Sequence, residues 1–91
     1  MRTVYKYEKD IGDKLEFDLP KGAELLHVNS QSDYGGTCLW ALVDPLQDTR
    51  EKKELRVYRT GHEIKETNLR YINTFTVYKG ALWFHAFEVL K

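Results

Sequence analysis

Lys14-Leu15-Glu16-Phe17-Asp18-Leu19 decides the fold class, because every second residue is hydrocarbon and every residue between is charged. A period of two places Leu15, Phe17 and Leu19 on one face of an extended chain, so the segment reads as a strand with one buried face. On its N-terminal side, Val4 to Glu8 is rich in β-formers, and Asp10 to Asp13 around Gly12 supplies a turn. These two segments are expected to form a hairpin. On its C-terminal side, Leu19-Pro20-Lys21-Gly22 has the type I turn preference, Pro second and Gly fourth, and predicts a reversal into a third strand from Ala23 to Gln31.

Ser32-Asp33-Tyr34-Gly35-Gly36 is a loop signal, and Thr37 to Val43 then has no polar face, which predicts a central strand covered on both sides. Asp44-Pro45-Leu46-Gln47 carries helix-start residues and predicts one or two helical turns before Lys53. Residues 54–60 alternate again, with mixed faces that suit an edge or a binding surface. Glu63 to Arg70 reads as a connection. Two further β-rich runs, 72–78 and 81–89, are joined through Lys79-Gly80 and predict a hairpin with a three-residue loop and a bulge. In the last run Leu82, Phe84 and Ala86 share one face, and Trp83, His85, Phe87 and Val89 the other. The expectation is a single all-β domain over residues 1–91: an antiparallel sandwich or small barrel of about seven strands, with at most a turn or two of helix.

Composition bounds the function. Fourteen Lys and Arg balance fourteen Asp and Glu, which removes the net positive charge typical of duplex nucleic-acid and membrane-surface binders. The charge is uneven, however: residues 1–49 carry a net of minus four, and residues 50–70 a net of plus three. No apolar run approaches the roughly 18 residues of a spanning helix, and the first residues lack a signal-peptide pattern, so a cytoplasmic location is expected. Cys38 is the single cysteine, which excludes an internal disulfide.

Chemistry is sparse. His27, His62 and His85 have no metal-ligand spacing, Cys38 reads as a buried structural thiol, and His85 as a packed or interface histidine. There is no nucleophile elbow, P-loop or dinucleotide fingerprint, so neither an enzyme nor a cofactor or metal site is expected. Basic residues interleave with rings in Arg56-Val57-Tyr58-Arg59 and Arg70-Tyr71, and His62 follows Gly61 at the end of a strand. Guanidinium groups beside rings are what an anionic, nucleotide-like ligand needs, and the competing reading is an edge strand blunted by charge. Period-two geometry puts Arg56 and Arg59 on opposite faces of a regular strand, so either one is turned by a bulge or by the strand ending at Thr60, or only one is a ligand. Arg59, nearest Gly61 and His62, is favoured, with Arg70 returning beside it at the head of the next strand. Two Trp and six Tyr exceed what so small a core hides, and this points to a homo-oligomer or a partner-protein interface.

Five segments together resemble a family of short bacteriophage and prophage proteins to which no activity is assigned. They are Leu19-Pro20-Lys21-Gly22-Ala23, Cys38-Leu39-Trp40-Ala41-Leu42-Val43-Asp44-Pro45, Thr60-Gly61-His62-Glu63-Ile64, Tyr71-Ile72-Asn73-Thr74-Phe75 and Trp83-Phe84-His85-Ala86-Phe87-Glu88. The resembled proteins usually carry Gly in place of Asn73. The resemblance implies a phage setting, the host cytoplasm, in which small accessory proteins neutralise a host enzyme, defence complex or defence signal. It thereby defines two targets for a protein acting by occupancy. One is an anionic nucleotide-type defence signal held by Arg56, Arg59, Arg70, Tyr58 and Tyr71. The other is a host defence protein capped by an aromatic surface centred on Tyr34, Trp83 or Tyr78. An accessory or structural phage protein without a ligand is the remaining alternative.

Overall fold

The computed structural model describes residues 1–10, 12–32 and 35–90. It contains seven strands, β1 (Thr3–Lys9), β2 (Lys14–Pro20), β3 (Glu24–Ser32), β4 (Gly35–Val43), β5 (Arg50–Arg59), β6 (Leu69–Val77) and β7 (Leu82–Val89), and no helix among the described residues. They form two antiparallel sheets, ordered β1-β4-β3 and β2-β5-β7-β6, that face one another as a sandwich. The alternation read from the sequence supplies the shared core. Leu15, Phe17 and Leu19 meet Leu55, Val57, Phe75, Val77 and Ala86 from their own sheet, and Leu25, Val28, Leu39, Ala41 and Val43 from the other. Among the described residues no helix is long and apolar enough to cross a membrane.

Several expectations about neighbours are corrected. β1 and β2 are not a hairpin: β1 pairs with β4 and β2 with β5, so the chain crosses between sheets at residues 10–13. Turn residues fix where a chain reverses, and they say nothing about which strand it then bonds. β4 is central, as expected: Thr37, Leu39, Ala41 and Val43 face the core, while on the other face Cys38 is buried and Trp40 and Leu42 are half-buried. The helical turns are absent because β5 begins at Arg50. Asp44 instead closes a turn, its carboxylate accepting the Leu46 N–H (3.0 Å) and its carbonyl the Gln47 N–H (3.1 Å). β5 is an interior strand, not an edge; its polar face is simply the solvated side of an antiparallel sheet.

The β6–β7 hairpin forms, with four residues between the strands instead of three. The Ala81 N–H donates to the Tyr78 carbonyl (3.1 Å), and φ is positive at Tyr78, Lys79 and Gly80. Positive φ at the two central residues suits the right-handed twist of the strands, and only the glycine adopts it without steric cost.

One side chain ties the sheets together. β6 shifts register between Tyr71 and Asn73, and Asn73 reaches across to the edge of β3. There its Oδ1 accepts the Val28 N–H and its Nδ2 donates to the Val28 carbonyl, both at 2.7 Å. Both edge groups of a fully buried residue are thus satisfied by one amide. The backbone at Asn73 is not left-handed, so nothing there requires the glycine of the resembled proteins.

Asn73→Ala leaves the Val28 N–H and C=O without these partners. The expected cost is about 2 to 3 kcal/mol of unfolding free energy, read as a lower urea midpoint with an unchanged slope.

Candidate functional site

Residues 55, 57 and 59 share the inner face of β5. Leu55 and Val57 are buried, but Arg59 lies past the edge of the core, exposed at one end of the sandwich. A turn at Thr60-Gly61, with Gly61 at φ 91° and the His62 N–H donating to the Arg59 carbonyl (3.1 Å), returns His62 to the same rim. The two residues line a cavity of 340 Å³ whose apolar wall is Val57, Phe75 and Phe84. Phe75 and Phe84 stack, ring centroids 5.8 Å apart and planes inclined by 27°. Asp13 and Thr37 add polar groups. The volume falls at the small end of ligand pockets, which run from about 300 to 1,000 Å³.

The other candidate arginines are engaged within the chain. On the outer face of β5, Arg56 donates from Nε to Glu54 (2.7 Å) and lies 3.6 Å from a Glu66 oxygen. The adjacent carboxylates, chiefly the Glu54 hydrogen bond, push its already high pKa further up. Arg70 pairs with Glu88, a buried carboxylate that also meets Lys53 at 3.4 Å. Arg59 has no ion-pair partner among the described residues.

Arg70 does not return beside Arg59. β5 and β6 both run antiparallel to β7, so the end of one and the head of the other lie at opposite ends of it. Arg59 sits opposite Phe84 and Arg70 opposite Glu88, four residues apart, or about 13 Å along the strand. The opposed faces of Arg56 and Arg59 are as the period requires.

Tyr58 and Tyr71 belong to a different surface, the outer face of the four-stranded sheet. Both rings meet the Phe87 ring edge-on, with centroids 5.8 and 5.6 Å away. His85, in the middle of this face, is held from both ring nitrogens, by Thr60 (Nε2, 2.7 Å) and Thr74 (Nδ1, 2.9 Å). Thr74 in turn bonds the Tyr71 hydroxyl (2.6 Å). Trp83 stands beyond it, 56% exposed, as is Tyr71. Tyr78 is exposed on the hairpin tip, and Tyr34 lies outside the described residues. The six candidate residues therefore divide into Arg59 and His62 at the cavity, Arg56, Tyr58 and Tyr71 on the outer face, and Arg70 at the far end. Although Arg56 and Tyr58 touch the cavity wall, their polar groups are committed elsewhere.

Phe75, Phe84, Thr37 and Asp13 were not among the candidates. That Phe84 shares a face with Leu82 and Ala86 was legible, but its facing inward and its approach to Phe75 and Thr37 depend on strand order. Cys38 is buried, and that burial raises its thiol pKa, which disfavours the thiolate. No group of three or more His, Cys, Asp or Glu side chains among the described residues could hold a metal ion.

The Tyr58 hydroxyl donates to Glu66, and this bond is the main cause lowering the Glu66 pKa below its ordinary 4.5. A depressed carboxylate pKa contributes stability that is complete above 4.5 and is lost as pH falls through the folded-state value. Tyr58→Phe should therefore raise the Glu66 pKa toward 4.5 in an NMR titration and reduce the loss of stability on acidification; an unmoved titration would contradict the assignment.

No curated protein and no solved structure matches this chain. A family model matches from end to end, over residues 1–91, so the chain belongs to DUF7352, a domain family of unknown function.

Proposed function

We propose that this protein acts by occupancy, holding a small anionic molecule with a ring, of the nucleotide class, in the cavity at the end of the sandwich. The observation that carries the reading is a guanidinium, Arg59, without an ion-pair partner among the described residues, beside His62 at the mouth of a cavity walled by stacked phenylalanines. A phosphate accepts charge-assisted hydrogen bonds from Arg59 at the rim, while Phe75 and Phe84 offer apolar contact to a base. Asp13 favours a ligand that also carries a donor. The resemblance to phage proteins gives such binding a use, the removal of a nucleotide-type signal from a host defence.

A second reading has its own observation. Trp83 and Tyr71, each more than half exposed, flank Phe87 and His85 on one sheet face, the composition of a protein-docking surface. There the protein would cap a host defence component instead of removing its signal.

Calorimetry and melting shifts against linear and cyclic nucleotides test the first reading. Arg59→Ala should weaken binding by about ten-fold to a hundred-fold, the loss of one charge-assisted contact worth about 1.5 to 3 kcal/mol. Arg70→Ala should leave affinity unchanged, because that guanidinium belongs to Glu88. If no nucleotide raises the melting temperature, the cavity reading fails. If Trp83→Ser then abolishes capture of a host protein, the capping reading replaces it.

A further inference from the structure

Each sheet has two edges, and three of the four edge strands carry a device that discourages pairing with another strand. β3 shifts register between Leu25 and His27, and its Val28 edge groups are taken by Asn73. β6 shifts register at Tyr71. In β2 the odd-numbered residues bond to β5, since the Lys21 N–H donates to the Thr49 carbonyl and the Val57 N–H to the Asp13 carbonyl. The even-numbered residues therefore direct their backbone groups outward. There Pro20 has no N–H, and Arg50 caps the Asp18 carbonyl (2.7 Å). β1 differs: seven residues, Thr-Val-Tyr-Lys-Tyr-Glu-Lys, without proline, glycine or register shift, with Val4 50% and Tyr5 46% exposed. A flat, uncovered edge is a template for another strand.

We propose that β1 pairs antiparallel with β1 of a second copy of this chain, with Tyr7 at the two-fold axis, to give one six-stranded sheet across the dimer.

Side-chain parity and charge select this register. For core faces to continue as core faces, residues directly opposite must share parity, so the axis passes through one residue. An axis at Lys6 sets the two ammonium groups against each other. An axis at Tyr7 sets Lys6 opposite Glu8 of the second copy, twice, and Tyr5 opposite Lys9 twice. Lys6 and Glu8 lie on one face of β1, 3.1 Å apart within the chain, and both are exposed; Glu8 also accepts from Gln31 Nε2 (2.8 Å), so in the dimer its carboxylate turns from Gln31 to Lys6 of the second copy. An axis at Tyr5 sets Glu8 opposite Arg2, which lies outside β1. Only the Tyr7 axis pairs opposite charges that both belong to the strand. Opposite charges directly across a strand pair stabilise it, and like charges destabilise it.

Sedimentation of the full chain over a range of concentrations should show mass rising toward two chains. Lys6→Glu and Glu8→Lys, made singly, should each weaken the dimer by about ten-fold, because two attractive pairs become repulsive. The double variant Lys6→Glu/Glu8→Lys should restore wild-type association, with circular dichroism confirming that every variant is folded. A chain that stays monomeric at the highest concentration, a dimer indifferent to the single reversals, or a double variant that fails to recover would each overturn the proposal. So would a dimer that responds to Glu8→Lys and Arg2→Glu but not to Lys6→Glu, since that pattern belongs to the Tyr5 axis.

Discussion

The amide of Asn73 is the constraint around which the sandwich is organised. Two sheets packed face to face are held by apolar contact, which has no direction and tolerates sliding. A pair of 2.7 Å hydrogen bonds between a side chain of one sheet and a single backbone residue of the other does have direction. It fixes β6 against β3, and so the height at which the Phe75–Phe84 pair, already opposite one another in the β6–β7 ladder, faces the other sheet. The cavity is formed at the end where that pair is stacked. The same bonds make the two sides of the sandwich unequal. One side is bridged by Asn73, and the other, where Lys9 lies 5.5 Å over the Phe17 ring, leaves β1 and β2 as open edges.

The cations follow a division of labour that composition conceals. Net charge is zero, yet the pairing is selective: Glu54 and Glu66 hold Arg56, and Glu88 is met by Arg70 and Lys53. The buried Glu88 has reason to keep both partners, since a carboxylate removed from water is tolerated only when it is compensated. Arg59 lies beyond reach of these acids, at the end of β5, so its hydrogen-bonding capacity remains available to solvent or ligand.

The faces of the strands were legible in the sequence because a period of two is a local property. Leu15, Phe17 and Leu19 are inward as the alternation requires, and Trp83, His85 and Phe87 share one face as it requires, although with bulky groups on both sides of β7 the alternation did not say which face is buried. Partners were not legible, since segments with the same alternation carry no address that distinguishes them; β1 could bond β2 or β4 without changing a single face. Of the six candidate residues, two are therefore held together by local sequence alone. Arg59 and His62 are joined by a local turn at Gly61 and stay together in the fold. Arg70 was separated from them by strand direction, which depends on β7 lying between β5 and β6. Glu54, two residues from Arg56 on the same face, was a visible sign that this arginine is neutralised. Glu66 and Glu88 gave no such sign, because loop closure and cross-strand register bring them to Tyr58 and Arg70.

The strand order also sets a sequence of events in time. Of all the sheet neighbours, only β3 with β4 and β6 with β7 are adjacent along the chain. Hairpins of this kind close in microseconds, whereas pairing distant segments must first overcome the entropy of a long loop. β1 leaves the ribosome first but has nothing to bond until residues 35–43 follow it, and β2 waits for residues 50–59. The N-terminal strand is therefore made early and placed late. During synthesis Val4, Tyr5 and Tyr7 are exposed for longer than any other rings or aliphatic groups of the sheet they eventually join.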